Sequence, residues 1–166
     1  MQRTAVSRWV AVAMATVAVV GCARLGQYAV QVESGSATDS IQVDLVGVND
    51  AEYERWAAYP LDEYWSPTNT FRKNAADRVV LRFGMGHERV QSIGRKDACW
   101  TAWRARQCRY LFVLTNAGPL RSGEGAAVDP RRLILPLERK RWDGKSIQVQ
   151  VQPGGVVCVN GPRPAK

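Results

Sequence analysis

Histidine is nearly absent from this chain, and its absence removes most sites that depend on imidazole chemistry. His87 is the only histidine, and it stands between Gly86 and Glu88 in a glycine-rich turn. A catalytic triad or a histidine-based metal site needs partners arranged around such a side chain, so we expect His87 to be an exposed loop residue. The sequence also lacks G-x-S-x-G, H-E-x-x-H, P-loop and dinucleotide-binding motifs. It therefore predicts a protein that is not an enzyme and holds no cofactor.

Cysteine is also scarce, and the four cysteines show no metal-binding spacing. There is no C-x-x-C and no cysteine–histidine cluster, so we predict no metal site. Cys99 and Cys108 flank a short tryptophan-containing segment and are the natural disulfide pair in an oxidising compartment. Cys158 would then be a buried free thiol on a late strand. Cys108–Cys158 is the competing pairing, and spacing does not decide between the two.

A long hydrophobic run is missing as well. The uncharged, mostly apolar stretch from Trp9 to Val20 is well short of the ~20 residues that span a bilayer. It follows Arg3 and Arg8, the arrangement of a secretory signal peptide, and it ends in Val19-Val20-Gly21-Cys22, which resembles the bacterial lipobox. We predict a signal peptide over residues 1–21 and lipidation of Cys22 by fatty acid such as palmitate. The alternative is an ordinary signal peptide or short membrane helix that happens to contain a cysteine.

Lipid on Cys22 would tether the mature chain to a bacterial cell envelope. Two or three acyl chains give stable anchoring. Lipoproteins kept in the inner membrane often carry Asp after the cysteine, whereas this chain has Ala23, so we expect the outer membrane of a Gram-negative host, facing the periplasm. We assign residues 22–26 to the tether, 27–160 to one folded domain, and 161–166 to a disordered tail.

Acidic residues are outnumbered in the mature chain. Removing Arg3 and Arg8 from the 23 basic residues leaves 21 against 15 acidic ones, a net charge of about +6. Anionic lipid, glycan carboxylates or an acidic partner would suit such a chain, although a solubilising surface is the simpler interpretation. Nucleic acid is not an expected partner of an exported protein. The basic clusters are Arg104/Arg106/Arg109, Arg131/Arg132 and Arg139/Lys140/Arg141.

Short segments of alternating hydrophobicity dominate the mature chain and predict strands. The apolar run 109–115 predicts a strand buried on both faces, Pro136 predicts a sheet edge, and Asp143-Gly144 predicts a tight hairpin turn. The predicted strands are 27–33, 40–48, 78–83, 88–93, 109–115, 132–137, 146–152 and 156–160.

Helical signals are few. Residues 51–58 fit a short amphipathic helix that Pro60 ends, residues 60–77 look irregular, and 97–106 is ambiguous between helix and strand. Turn signals that recur about every 8–14 residues between short strands favour a mainly β protein over an α/β fold. We predict a single antiparallel β-sandwich, transthyretin- or immunoglobulin-like, with one short helical insertion after the second strand. An up-and-down barrel is the alternative.

An aromatic cluster surrounds the predicted helix. Six aromatic residues fall between Tyr53 and Phe71. They could form a small core, or some could stay exposed as a binding platform, since aromatics are enriched at interface hot spots. The Trp100/Trp103 pair carries the same ambiguity. The candidate binding residues are Trp56, Tyr59, Tyr64 and Trp65.

This organisation resembles the outer-membrane lipoproteins of type VI secretion systems. The likeness is carried by the lipobox, by the alternating segments 28–32 and 40–45, and by the helix ending near Tyr59. It implies a transthyretin-like sandwich that begins with two strands and a helical insertion. The family's usual Asn-Pro-Asp in the first loop, by which such lipoproteins hold their inner-membrane partner, is replaced here by Ser34-Gly35-Ser36-Ala37.

Two functions from different classes follow. The first is a non-catalytic assembly component that anchors an envelope complex, such as a type VI-like secretion system, through lipid on Cys22 and a protein partner. The second is a binding module for an envelope glycan or peptide, which requires Trp56, Tyr64 or Trp65 to be exposed. A small inhibitor whose loop 116–131 enters an enzyme cleft is a third reading.

Overall fold

The computed structural model describes residues 25–36, 39–75, 77–117 and 129–165, and its strands match the predicted segments within a few residues. The predicted signal peptide, Cys22 and most of loop 116–131 lie outside the described residues. The strands are β1 (Ala29–Ser34), β2 (Ile41–Val48), β3 (Val79–Phe83), β4 (Val90–Ile93), β5 (Tyr110–Thr115), β6 (Arg132–Pro136), β7 (Ser146–Gln152) and β8 (Gly155–Cys158). The helices are α1 (Tyr53–Ala58), α2 (Leu61–Tyr64), α3 (Thr70–Lys73), α4 (Ala98–Ala105) and a 3-10 turn (Arg139–Arg141).

The strands form two four-stranded sheets, with orders β4-β1-β7-β8 and β3-β2-β5-β6. Among the described strands, β1 and β7 make the one parallel pair, with Val30 opposite Ile147 and Val32 opposite Val149. The predicted mainly β sandwich is confirmed. The parallel pair was not expected, because parallel and antiparallel strands share the same two-residue side-chain period.

The main core lies between the two sheets and is built from alternate residues of facing strands. Val30 and Val32 of β1 and Val43 and Leu45 of β2 are fully buried there, together with Ile147 of β7. Full burial of each aliphatic side chain contributes about 1.5–3 kcal/mol. The period-two pattern read from the sequence therefore places the right side chains inside.

Strand β5 is buried on both faces, as its apolar run predicts. Leu111 and Val113 belong to the main core, whereas Phe112 and Leu114 belong to a second cluster on the outer face of the same sheet. The second cluster exists because the helical insertion covers that outer face. The predicted position of β6 at a sheet edge is also confirmed.

Helix α4 resolves the ambiguous segment 97–106. The Asp97 side chain caps the helix by accepting a hydrogen bond from the Cys99 amide at 3.2 Å. Trp100 and Trp103 are completely buried in the main core. A Cβ on Gly47 would lie 2.5 Å from the Trp103 ring, so glycine at that position lets the indole pack against β2. These tryptophans form core and not a binding platform.

The insertion between β2 and β3 contains three short helices, not the single helix predicted. Asn49 accepts a hydrogen bond from the Glu52 amide at 3.0 Å just before α1, and Asn69 caps α3 through the Arg72 amide at 2.6 Å. Helices of four residues, such as α2 and α3, are too short to leave a helical period in the sequence. Residues 60–77 therefore looked irregular.

Two further predictions at the C-terminal end are wrong. The Asp143-Gly144 turn does not close a hairpin, because β6 and β7 lie in different sheets. The tail beyond residue 160 is not disordered as far as residue 165: the Arg163 amide donates to the Arg141 carbonyl at 2.7 Å, and Arg163 pairs with Asp143. These polar contacts hold a tail whose composition carries no structural signal.

Candidate functional site

The predicted aromatic binding surface is largely a second core. Trp56 is 6% exposed and Tyr64 is fully buried, so both are packed between the insertion and the outer face of the β2–β5 sheet. Tyr59 and Trp65 are half-buried at the border of the same cluster. Trp56 and Tyr64 are therefore too buried to form the exposed platform that the glycan-binding hypothesis requires.

A buried carboxylate organises this second core. Asp44 on β2 is completely buried, and it points away from the main core toward the insertion. Its oxygens accept hydrogen bonds from the Tyr64 hydroxyl, from Arg72 Nε and from Arg78 Nη1, each at 2.9 Å. Gln42 Nε2 donates a fourth at 3.1 Å. The carboxylate is thus fully hydrogen-bonded, as a buried charge must be.

This network acts as a clamp between sheet and insertion. Arg72 comes from α3 and Tyr64 from α2, while Arg78 precedes β3, so one strand residue ties three separate segments. Burial, followed by the neighbouring Asp44 charge, raises the pKa of Tyr64 well above its usual value, and the phenol stays protonated as a donor. The sequence assigns Asp44 to a polar strand face; the signal for its role was a lone acid among apolar β2 residues.

The insertion cavity is an open pocket of about 440 Å³ beside the clamp. Phe71 stacks on Tyr59 with ring centroids 4.2 Å apart, and the Arg55 guanidinium lies 4.6 Å from the Phe71 centroid. Aromatic faces beside a guanidinium suit an acidic or aromatic side chain of a partner. The insertion cavity is lined by Glu52, Arg55, Trp56, Tyr59, Thr70, Phe71, Asn74, Ala75 and Arg106.

Two of the three basic clusters serve the fold. Arg131 is 4% exposed and pairs with Asp129 and Asp62, each at 2.7 Å. Burial alone would raise the pKa of Asp129, but its bonds to Arg131 lower it below its usual value. Arg109 bridges Asp50 and Glu138. These guanidinium groups are committed to internal ion pairs.

Cys99, Cys108 and Cys158, the cysteines that the structure describes, are free thiols, and the predicted Cys99–Cys108 disulfide is not formed. Cys99 lies in the first turn of α4 and Cys108 follows its last turn. The helix rises about 1.5 Å per residue and so separates the two cysteines along its axis, whereas the Cα atoms of a disulfide lie within about 7 Å of each other. Burial raises the pKa of Cys99 to about 12 and that of Cys108 to about 11. Cys158 lies half-buried at the end of β8, and His87 is exposed as expected.

The described chain begins firmly attached to the sandwich. Leu25 pairs with Glu138, the Gly26 amide donates to Leu137 at 2.8 Å, and the Ala29 amide donates to Lys145 at 2.9 Å. Among described helices, none has the length and apolar character to cross a membrane. Within the same residues, no group of three or more potential metal-ligating side chains comes together.

No protein-family model matches the chain, and no curated sequence matches it. Several solved structures are similar, among them the following three. Serratia marcescens Lip, described as a membrane-bound component of the type VI secretion system, is 14% identical over 80% of this chain and 96% of its own, with a TM-score of 0.49. The type VI lipoprotein TssJ1 from Pseudomonas aeruginosa is 12% identical over 86% and 100%, with a TM-score of 0.48. A structure described as the TssM C-terminal domain from EAEC is 9% identical over 80% and 99%, with a TM-score of 0.50.

The likeness is one of fold. At 9% identity, the EAEC structure shows only that the fold is shared. The two structures with TM-scores below 0.5 add no further support. The distant resemblance that the sequence predicts is confirmed at this level. The lipobox and the position of Cys22 are not tested by it.

Proposed function

We propose that this chain is a lipid-anchored, non-catalytic assembly component of a bacterial envelope complex, and within that class a component of a type VI-like secretion system. The observation that carries the proposal is the short connection between lipobox and sandwich. Leu25, which already pairs with Glu138, follows Cys22 by three residues. A lipid on Cys22 would therefore hold the folded domain directly against a membrane. We propose that this membrane is the outer membrane and that the domain lies on its periplasmic side.

The pairing of carboxylates with arginines inside the fold supports the proposal that the protein is not a catalyst. The fully buried Asp44 and the half-buried Asp129 are bound to arginines, and these ion pairs stabilise the structure. The shared fold with a type VI secretion structure is consistent with the proposal. Fold alone does not imply function, so the assignment depends on the anchor and the partner.

Membrane fractionation of the full-length chain tests the anchor, provided that the membranes are washed at high salt to release protein held by charge alone. We expect the wild type in the detergent-extracted membrane fraction and Cys22→Ser outside it, because that variant cannot be acylated. Cys158→Ser is the matched control and should fractionate like the wild type. A Cys22→Ser variant that remains in the membrane fraction would contradict the proposal.

Affinity capture from gently solubilised native membranes tests the partner. We expect a large inner-membrane protein of a secretion apparatus to co-purify with the wild type and to be lost with Cys22→Ser. Recovery of cell-wall fragments alone would instead favour binding of glycan or peptide.

The insertion cavity favours that second function in a narrower form than the sequence predicts. Tyr59 and Phe71 line it beside Arg55, whereas Trp56, which also lines it, is only 6% exposed. Titration of envelope peptides or glycan fragments tests this reading. We expect Arg55→Ala to weaken a true ligand of the cavity and Lys73→Ala, on the neighbouring helix, to leave affinity unchanged; equal affinities in both variants would exclude the cavity.

A further inference from the structure

A basic pocket occupies the end of the sandwich at which the described chain begins. It has a volume of about 300 Å³. Arg95 reaches it from the segment after β4, Arg139 from the 3-10 turn and Lys145 from the residue before β7. The sequence does not show this convergence, because the three residues are far apart along the chain. The pocket is lined by Gly26, Gln27, Tyr28, Arg95, Arg139, Gly144 and Lys145.

The three cations are not neutralised by the acids around them. Arg95, Arg139 and Lys145 are exposed and make no ion pair with a carboxylate of the described chain; Arg95 donates only to the Gln27 carbonyl, at 3.3 Å. The nearest acids in sequence are engaged elsewhere. Glu138 pairs with Arg109, Asp143 pairs with Arg163, and Asp97 caps α4.

The position of the pocket relative to the anchor is limited by chain length. Cys22 precedes Leu25 by three residues, and an extended chain spans at most about 3.6 Å per residue. A lipid on Cys22 would thus keep Leu25 within about 11 Å of its point of attachment. Gly26, Gln27 and Tyr28, which follow at once, line the basic pocket, so the anchor would turn this end of the sandwich toward the bilayer surface.

We propose that the basic pocket binds the phosphate of an anionic phospholipid headgroup in the leaflet that holds the lipid anchor. The assignment of an anchored orientation rests on the proposed function, whereas the headgroup affinity is a property of the folded domain. The opposite end of the sandwich, with the Gly84–Gly86 turn, would then point away from the membrane. Lipid binding would limit how far the domain tilts and so present one fixed face to a partner.

Vesicle flotation tests the proposal without the anchor. The protein is the mature chain from residue 22 carrying Cys22→Ser, which retains every described strand and helix. It is mixed with phosphatidylcholine vesicles that contain or lack 30 mol% phosphatidylglycerol. We expect binding to the anionic vesicles only, and a decrease as salt rises, because surface electrostatics are screened.

Charge variants locate the binding surface. Each basic residue near an anionic surface contributes about fivefold to affinity, so the Arg95→Gln/Arg139→Gln/Lys145→Gln variant should bind roughly 100-fold more weakly. The matched control, Lys73→Gln/Arg82→Gln/Arg89→Gln, removes the same charge from exposed residues outside the pocket and should stay within about twofold of the parent, since long-range attraction is screened. Equal losses in the two variants, or no preference of the parent for anionic vesicles, would overturn the proposal.

Failure of the anchor is recognised separately. In cells, loss of membrane association by Cys22→Ser supports the anchor whatever the vesicles show. Flotation with phosphatidylglycerol supports the pocket whatever Cys22 carries. A domain that binds anionic vesicles, while Cys22→Ser remains in the cellular membrane fraction after a high-salt wash that releases protein held by charge alone, would keep the pocket and reject the lipid anchor.

Discussion

The two hydrophobic layers of this domain are built on different principles. The main core between the sheets consists mostly of aliphatic side chains, and its aromatic members are Tyr28, Phe83, Trp100, Trp103 and Trp142. The outer layer beneath the insertion is aromatic and closes around a buried carboxylate, Asp44, with two arginines. The first depends on burial, which has no direction; the second depends on hydrogen bonds that act at fixed geometry.

The difference shows how a sandwich can carry an added element. Apolar surface alone would let the short helices slide over the outer face of the sheet. A buried carboxylate that must keep all its donors allows one arrangement, because an unpaired buried charge is costly. We infer that the main core determines the stability of the domain and the clamp determines the position of the insertion.

Trp103→Ala should have the largest effect, because it opens a cavity in the main core and removes the indole donor to the Asp77 carbonyl. We expect a loss of about 3–5 kcal/mol in the free energy of unfolding, measured by urea denaturation. Trp65→Ala, at a half-buried site in the outer layer, is the comparison. An equal loss in both would remove the distinction between the layers.

Asp44→Asn should have the next largest effect and a local one. The variant keeps the shape of the side chain but loses its charge-assisted bonds, which we expect to cost about 2 kcal/mol. Trypsin should then cleave the insertion near Arg72 faster, while amide exchange in β1 and β7 changes little.

Asp39→Asn is the control for the clamp, since that carboxylate is exposed. It should leave both stability and trypsin cleavage unchanged. If Asp44→Asn loosened both sheets as much as the insertion, the clamp would be part of the main core and the comparison would fail.

The thiols of the main core should give a smaller, pH-dependent effect. The folded pKa values of Cys99 and Cys108, about 12 and 11, lie above the ordinary value near 9. Raised values mean that the folded state holds protons that the unfolded state releases. Their contribution is therefore present below pH 9 and is lost as the pH rises from about 9 to 12.

Urea denaturation at several alkaline pH values checks the thiols. Relative to wild type, Cys99→Ala/Cys108→Ala should lose less stability between pH 9 and 11. Cys158→Ala, at a half-buried position, is the control and should change the slope less. A double variant with the wild-type slope would contradict the assignment.

Arg55→Ala should have the smallest effect. It removes an exposed cation–π contact with Phe71, for which about 0.5 kcal/mol is expected. Arg104→Ala removes an exposed arginine from α4 and should have no measurable effect. A loss for Arg55→Ala near that for Asp44→Asn would mean that the rings around the insertion cavity, and not the clamp, hold the insertion.

Much of the fold could be predicted and much of the site could not. Alternation located the strands and the doubly buried β5, because side-chain direction in a strand follows from covalent geometry. The buried state of Trp56 and Tyr64 was not predictable, since an aromatic helix face looks the same whether or not a sheet covers it. The disulfide prediction failed because nine positions of sequence separation do not reveal an intervening helix.

The sequence by itself determined the strand set, the sandwich class and the candidate anchor at Cys22, because these depend on local period, charge and residue order. Only the tertiary structure decided the parallel pairing of β1 with β7, the clamp at Asp44 and the meeting of Arg95, Arg139 and Lys145. Each of these joins residues distant in sequence. Their proximity is set by how the two sheets and the insertion pack, and local sequence does not encode that distance.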